Sequence, residues 1–282
     1  MTAPAHSSAS SAARAVALCV LALLYSYAAA ATDVTAGRPW RFRTFADKLP
    51  VVDDIAVRGD GSVYATQALG EGNGRVVRLH AGRTEVIANG LEQPRGLLVK
   101  ANSLFVTEQV DAGRVVEISL IGKGRRAIEN LYNPEHLAKL LDGDVAVVEN
   151  GVNGRLMRLL GNGAVEVITA GLNSPEGLAV GRDGTIFIGE SGTGRVLSFK
   201  DGALNVVIDD LDELGQIEVG PGGALWITEK GKLGRLLRLK DGALETVLTG
   251  LKEPRGIAIT ENGGILVAEQ GRERILLVEP KP

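Results

Sequence analysis

The sequence predicts an all-β chain, a six-bladed β-propeller with four antiparallel strands per blade, closed where the N-terminal strand joins the last blade. Three observations predict it. An apolar run ending in an acid or its amide recurs six times, at Gln67, Glu108, Glu149, Glu190, Glu229 and Glu269, with spacings of 41, 41, 41, 39 and 40. An arginine follows each and opens another apolar run: Arg75, Arg114, Arg155, Arg195, Arg235 and Arg274. Within the copies, runs of four to six residues rich in Val, Ile and Leu are divided by Gly- and Asp-bearing turns, and no window has a helical period. Six copies at this period mean units that bury their faces only against each other, and four short strands per unit make each unit a propeller blade.

Taken in order, the first residues are a different material. "MTAPAHSSASSAAR" is small and polar with one charge, Arg14, and "AVALCVLALLYSYAAAA" (15–31) is apolar and ends in alanines. A charged start, a short apolar core and an A-x-A-like end make 1–31 a signal peptide with a cut near Ala31. The alternative is a membrane anchor, for which the apolar run is at the short limit. Removal leaves one domain, 32–282, with no membrane span, secreted or periplasmic. Cys19, the one cysteine, goes with the signal, so the mature chain has no thiol chemistry.

Next comes "WRFRTFADKL" (40–49), which matches the outer runs "AVEVITAGL" and "LETVLTGL". The last copy has only three runs, "GIAI", "ILVAE" and "RILLV". The first segment therefore completes the last blade and removes an open sheet edge. The fourth copy shows a whole unit: "GLAV", "TIFIGE", "RVLSF" and "LNVVID", with turns "GRDG", "SGTG" and "KDG" between them.

Composition bounds the function. The chain has 282 residues, 45% of them hydrophobic, 37 glycines and a net charge of −3, so it is folded and turn-rich and has no basic block for nucleic acid. It has no phosphate-binding glycine loop for a nucleotide cofactor, no zinc-type Cys/His spacing and no G-x-S-x-G elbow. The acid–Arg pair at every hairpin reads as structure, because a feature of every blade answers a need of every blade.

Function is sought where copies differ. The innermost run begins beside the central channel. Its channel-mouth residue is Asp53, Arg95, Glu135, Glu176, Gly215 and Arg255 in turn, and the next residue is Asp54, Gly96, His136, Gly177, Gln216 and Gly256. Carboxylates thus converge from three blades and arginines from two. A divalent cation such as Ca²⁺ or Mg²⁺ would relieve the acids' repulsion, with Asp53, Glu135 and Glu176 as ligands. The arginines would do so equally well as ion pairs. His136 and Glu176 are the candidate catalytic residues, His136 being the one histidine placed to act as a base. Arg95, Arg255 and Gln216 are candidates for holding substrate.

The stretch "PRGLLV…NSLFVTE…GRVVEI" resembles the NHL repeat and the gluconolactonase (senescence-marker-protein) propellers, and "GPGGALWITEKGKLGRLLRL" (220–239) is similar to the streptogramin lyase repeat. The resemblance spans 40–280. It implies a divalent-cation-dependent lactonase or ester hydrolase with Asp53, Glu135 and Glu176 at the metal. The NHL likeness implies instead a non-catalytic module for a small molecule or protein partner. The lyase likeness implies a Glu-x-His-Gly motif, which here reads Glu253, Pro254, Arg255, Gly256, with Arg where the base should be. The expected ligand is a small anionic molecule or a protein partner.

Overall fold

The computed structural model describes residues 33–122 and 124–282, and Val34–Pro282 form one compact unit. The signal reading for 1–31 lies outside the described residues. Six separate antiparallel sheets are arranged in a ring, and each is a blade. Innermost strands of consecutive blades touch all the way round, the sixth against the first included. These innermost strands are Val52–Val57, Pro94–Lys100, Pro134–Lys139, Pro175–Val180, Leu214–Val219 and Pro254–Ile259. Among the described residues no helix is long and apolar enough to cross a membrane.

Ring closure is as expected. Trp40–Ala46 pairs antiparallel with Arg274–Pro280 as the outer strand of blade 6. One addition was not foreseen: Thr35–Ala36 pairs with Ala243–Thr249 and gives blade 5 a fifth strand. The N-terminal segment therefore crosses the blade 5–blade 6 seam. Trp40 seals that seam. It packs edge-on against Trp226 with ring centroids 5.3 Å apart. Its Nε1 donates to Glu245 Oε1 at 2.6 Å.

The core is not central. It consists of six apolar clusters, each between two adjacent blades, as between Leu137, Val147 and Met157 of blade 3 and Phe105, Val115 and Leu131 of blade 2. This follows from alternation: on a radial sheet both faces meet a neighbour, so odd and even residues are both buried. In blades 1, 4 and 5 a two-residue hairpin separates the third and outer strands. At Asp201–Gly202 both residues have positive φ (50° and 81°), the twist that suits a tight hairpin and that Asp and Gly adopt readily.

The acid ring is structural in detail. Oε1 of Glu108, Glu149, Glu190, Glu229 and Glu269 accepts the N–H of Glu92, Tyr132, Asn173, Asp212 and Lys252, at 2.8–2.9 Å. Each Oε2 takes the arginine of its own hairpin, as Arg155 Nε does on Glu149 at 2.5 Å. Each acid thus clips the loop that enters its own blade. Blade 1 has Gln67 for a physical reason. The loop residue there is Pro50, which has no N–H to offer. Gln67 donates its Nε2 to the Pro50 carbonyl instead (2.7 Å) and still accepts from Arg75 (2.8 Å). Glu149→Ala is expected to cost about 1–3 kcal/mol in chemical denaturation, because the Tyr132 N–H loses its acceptor. A loss under half a kcal/mol would show that water replaces the clip.

Candidate functional site at the channel mouth and waist

Every innermost strand slips register against its neighbour at the same place. The slips fall between Val52 and Ile55, Pro94 and Leu97, Pro134 and Leu137, Pro175 and Gly177, Leu214 and Ile217, and Pro254 and Ile257. A bulge bends a strand and re-aims its side chains. Here it frees two residues from the sheet in five blades and Glu176 alone in blade 4, where Gly177 still pairs with Gly189, and these positions are the varying ones of the repeat. The first of each pair forms the mouth and the second the waist.

The mouth holds acids and cations in nearly matched pairs. Arg95 Nη1 donates to Asp53 Oδ1 at 3.0 Å, and Arg255 Nε lies 3.9 Å from the same oxygen. Lys230 Nζ is bonded to Glu176 Oε2. Glu135 differs: its Oε2 accepts from the amides of Gln109 and Asn150, and no cation touches it. Among the described residues no hydrogen bond reaches its Oε1. Burial raises the Glu135 pKa, the charges of Asp53 and Glu176 raise it further, and it stands at about 7 against Arg95 and Asn150, which lower it. Gln109 also accepts from Arg95 Nε at 2.8 Å, so one amide links the arginine to the acid. Arg255 Nε is buried with no hydrogen-bond partner.

Three acids therefore face three cations. Whenever Glu135 is protonated, the mouth carries one net positive charge. The metal trio does not fit this arrangement. Asp53 is held by arginines and Glu176 by a lysine, which stand where a divalent ion would have to come. Among the described residues no group of three His, Cys, Asp or Glu side chains is gathered closely enough to hold a metal. Arg95 and Arg255 are at the mouth, as the sequence indicates.

His136 and Gln216 are not at the mouth; they are at the waist. His136 Nδ1 lies 3.2 Å from Asp54 Oδ2 and 2.7 Å from the Gln216 amide nitrogen. Gln216 Oε1 is buried without a partner. A half-turn of that amide sets its oxygen within reach of the same Nδ1–H that faces Asp54. Asp54 is further held by the N–H groups of Ile55 and Leu97, at 2.8 and 2.7 Å. Burial alone would pull the His136 pKa down, but the Asp54 charge and hydrogen bond, with the charges of Glu218 and Glu135, outweigh it and the pKa is raised.

The waist also explains why one copy has His where others have Gly. Large residues come from blades 1, 3 and 5 (Asp54, His136, Gln216) and glycines from blades 2, 4 and 6 (Gly96, Gly177, Gly256). A Cβ on Gly96 would lie 2.6 Å from the Glu135 carbonyl oxygen, and one on Gly256 would lie 2.7 Å from Asp54 Cα. Gly96 and Gly256 make room for His136 and Asp54, and a Cβ on Gly177 would lie 3.0 Å from the Ile217 side chain beside Gln216.

Sequence reasoning missed three sets of residues. Gln109, Asn150 and Lys230 each follow a ring glutamate directly, where the chain reads Ala68, Gln109, Asn150, Ser191, Lys230 and Gln270, and that variability was the available signal. Thr66, Thr107 and Thr228 precede ring residues and donate to the carbonyls of Arg95, Glu135 and Arg255 in the next blade, at 2.7–2.8 Å. They fix the mouth residues across the seams. Glu218 is the third omission.

No protein-family model matches the chain, and no curated protein matches it in sequence. Solved structures match its fold. A gluconolactonase from Xanthomonas campestris is 18% identical with a TM-score of 0.71, over 86% of this chain and 90% of that one. The PQQ-bound form of an aldose sugar dehydrogenase from Streptomyces coelicolor is 16% identical with a TM-score of 0.71, over 88% and 100%. A streptogramin B lyase is 17% identical with a TM-score of 0.65, over 86% and 98%. These names cover different chemistries, so the likeness establishes the propeller and leaves the reaction to the site.

Proposed function

We propose that the mouth binds a small anionic molecule and opens a lactone or ester bond in it without a metal, Glu135 exchanging the proton. The observation that carries this reading is Glu135 itself. It is a nearly buried carboxyl poised at about 7, with one oxygen fixed by two amides and the other free. A general base works best when its pKa is near the working pH. Glu135 Oε1 takes a proton from water as the water oxygen bonds to the carbonyl carbon. The acyl C–O bond then breaks, and the leaving oxygen receives that proton, giving a hydroxy acid, or an acid and an alcohol. Arg95 and Arg255 hold the anionic group by direct contact with their guanidinium groups. The gluconolactonase fold likeness supports the choice of an acyl–oxygen substrate. The base is Glu135 and not His136, because the His136 Nδ1 is committed to Asp54 across the waist. Glu176 is held by Lys230 and sets the field around Glu135. Export to the periplasm or the medium belongs to the proposal and rests on the sequence of 1–31.

A second reading has its own support. Three cations and the unpartnered Arg255 Nε also suit an anion receptor that performs no chemistry. One experiment separates the readings: a panel of anionic lactones and esters, followed for turnover and binding, with and without a chelator. Turnover that survives chelation is expected. Turnover restored only by Ca²⁺ or Mg²⁺ would sink the metal-free mechanism, and binding without turnover would leave the receptor.

A further inference from the structure

Beyond the waist the channel widens again. The lower halves of the innermost strands enclose a cavity of about 280 Å³ with walls such as Ile55, Leu97, Leu137, Ala179 and Ile257. His136 and Glu218 line the same space, and Lys139 stands among its lining residues. Glu218 breaks a ring. In the other blades its position is Ala56, Leu98, Ala138, Ala179 and Ala258.

Glu218 also breaks the pattern of partners. The buried acids of the mouth, the waist and the hairpin ring have a cation or a side-chain or loop N–H against them. The half-buried Glu218 carboxyl has no ion pair and no side-chain hydrogen bond among the described residues. Glu218 is half-buried beside aliphatic side chains, and an acid so placed gains when a positive charge comes to it.

We infer that the lower half of the channel is a second binding site, for a small molecule with an apolar body and a protonated amine that pairs with Glu218. The walls take the apolar body, and the volume is at the small end of ligand sites, roughly 300–1,000 Å³. An anion is disfavoured, since it would meet both Asp54 and Glu218. His136 is already neutralised by Asp54, and Lys139 is exposed at its end of the strand. Burial, with the Asp54 charge, holds Glu218 up at about 7 against the pull of His136 and the Val219 N–H. The free site is thus partly protonated at neutral pH. An arriving ammonium favours the carboxylate, so binding expels protons at pH 7. A carboxylic acid ligand would do the reverse and take protons up.

The test is titration calorimetry with n-hexylamine, phenethylamine, n-hexanol and hexanoate. It is run at pH 7 in two buffers of different ionisation heat, on the parent protein and on Glu218→Ala. Alanine is the residue that four other blades carry at this position, so the variant folds, and a thermal melt checks it. The expected result is saturable binding of an amine with proton release, weakened at least tenfold in Glu218→Ala, with no binding of hexanoate. Glu135→Gln should leave amine binding unchanged, which separates this site from the mouth. Amine binding that Glu218→Ala does not alter overturns the inference. So does hexanol bound as tightly as hexylamine, or the absence of binding by both amines.

Discussion

Glu135→Gln is expected to lower turnover of the anionic lactone or ester about 10²- to 10⁴-fold, the range that a positioned acid–base group supplies. The amide keeps the size of the side chain, so Gln109 and Asn150 still have an oxygen to bond, and binding should change little. The pH profile gives the sharper readout. The active form is the carboxylate, so kcat/KM in the parent should rise with pH and level off above about 7. Below that it should fall tenfold per unit, and in Glu135→Gln this limb should vanish from the residual rate. Glu176 is among the charges that hold the Glu135 pKa up. Glu176→Gln should therefore move the limb to lower pH. A limb that stays where it was in both variants would show that another group carries the proton.

Trp40→Ala should be the most damaging single truncation away from the channel. Trp40 is 8% exposed and belongs, with Trp226, Val247 and Ile257, to the apolar cluster between blades 5 and 6. Losing a buried tryptophan costs about 3–5 kcal/mol. For a domain of this size that lowers Tm by roughly 10 °C. The edge-on contact with Trp226 goes too, and Glu245 loses its indole donor. Trp40→Phe should recover most of the loss, because it restores the aromatic body without the N–H. A fall of under 1 kcal/mol for the alanine variant would mean that paired backbone alone keeps the ring closed.

The fold was legible in the sequence because blades are equivalent. Each must cap the same hairpin, clip the same loop and bury both faces, so the same residues return every forty positions. Even the exception at Gln67 obeys the rule once Pro50 is seen opposite it. The short strand Thr35–Ala36 was not legible, since two residues carry no period.

The site was half legible. The varying pair on each innermost strand was found, because departures from a repeat mark what the blade itself does not need. Which of those residues meet was not legible. Pairing across the channel depends on how each bulge turns two consecutive side chains, one to the mouth and one to the waist. His136 was therefore expected beside Glu135 and lies against Asp54. Lys230 and Gln109 come from second strands, and their reach to Glu176 and Glu135 is a matter of three-dimensional neighbourhood, 54 and 26 residues away in the chain. Glu218 was visible as a lone acid in a column of alanines, but only after the bulge had set the alignment.

The alternation at the waist constrains how such a ring can change. Large and small residues take turns round the axis, and a cycle of two alternating kinds closes only with an even number of members. Duplicating or deleting one blade would set two glycines side by side, leaving a gap, or two large residues, which collide. A lineage that keeps this waist can gain or lose blades only two at a time. The parity of the ring is written in six side chains that meet at its centre.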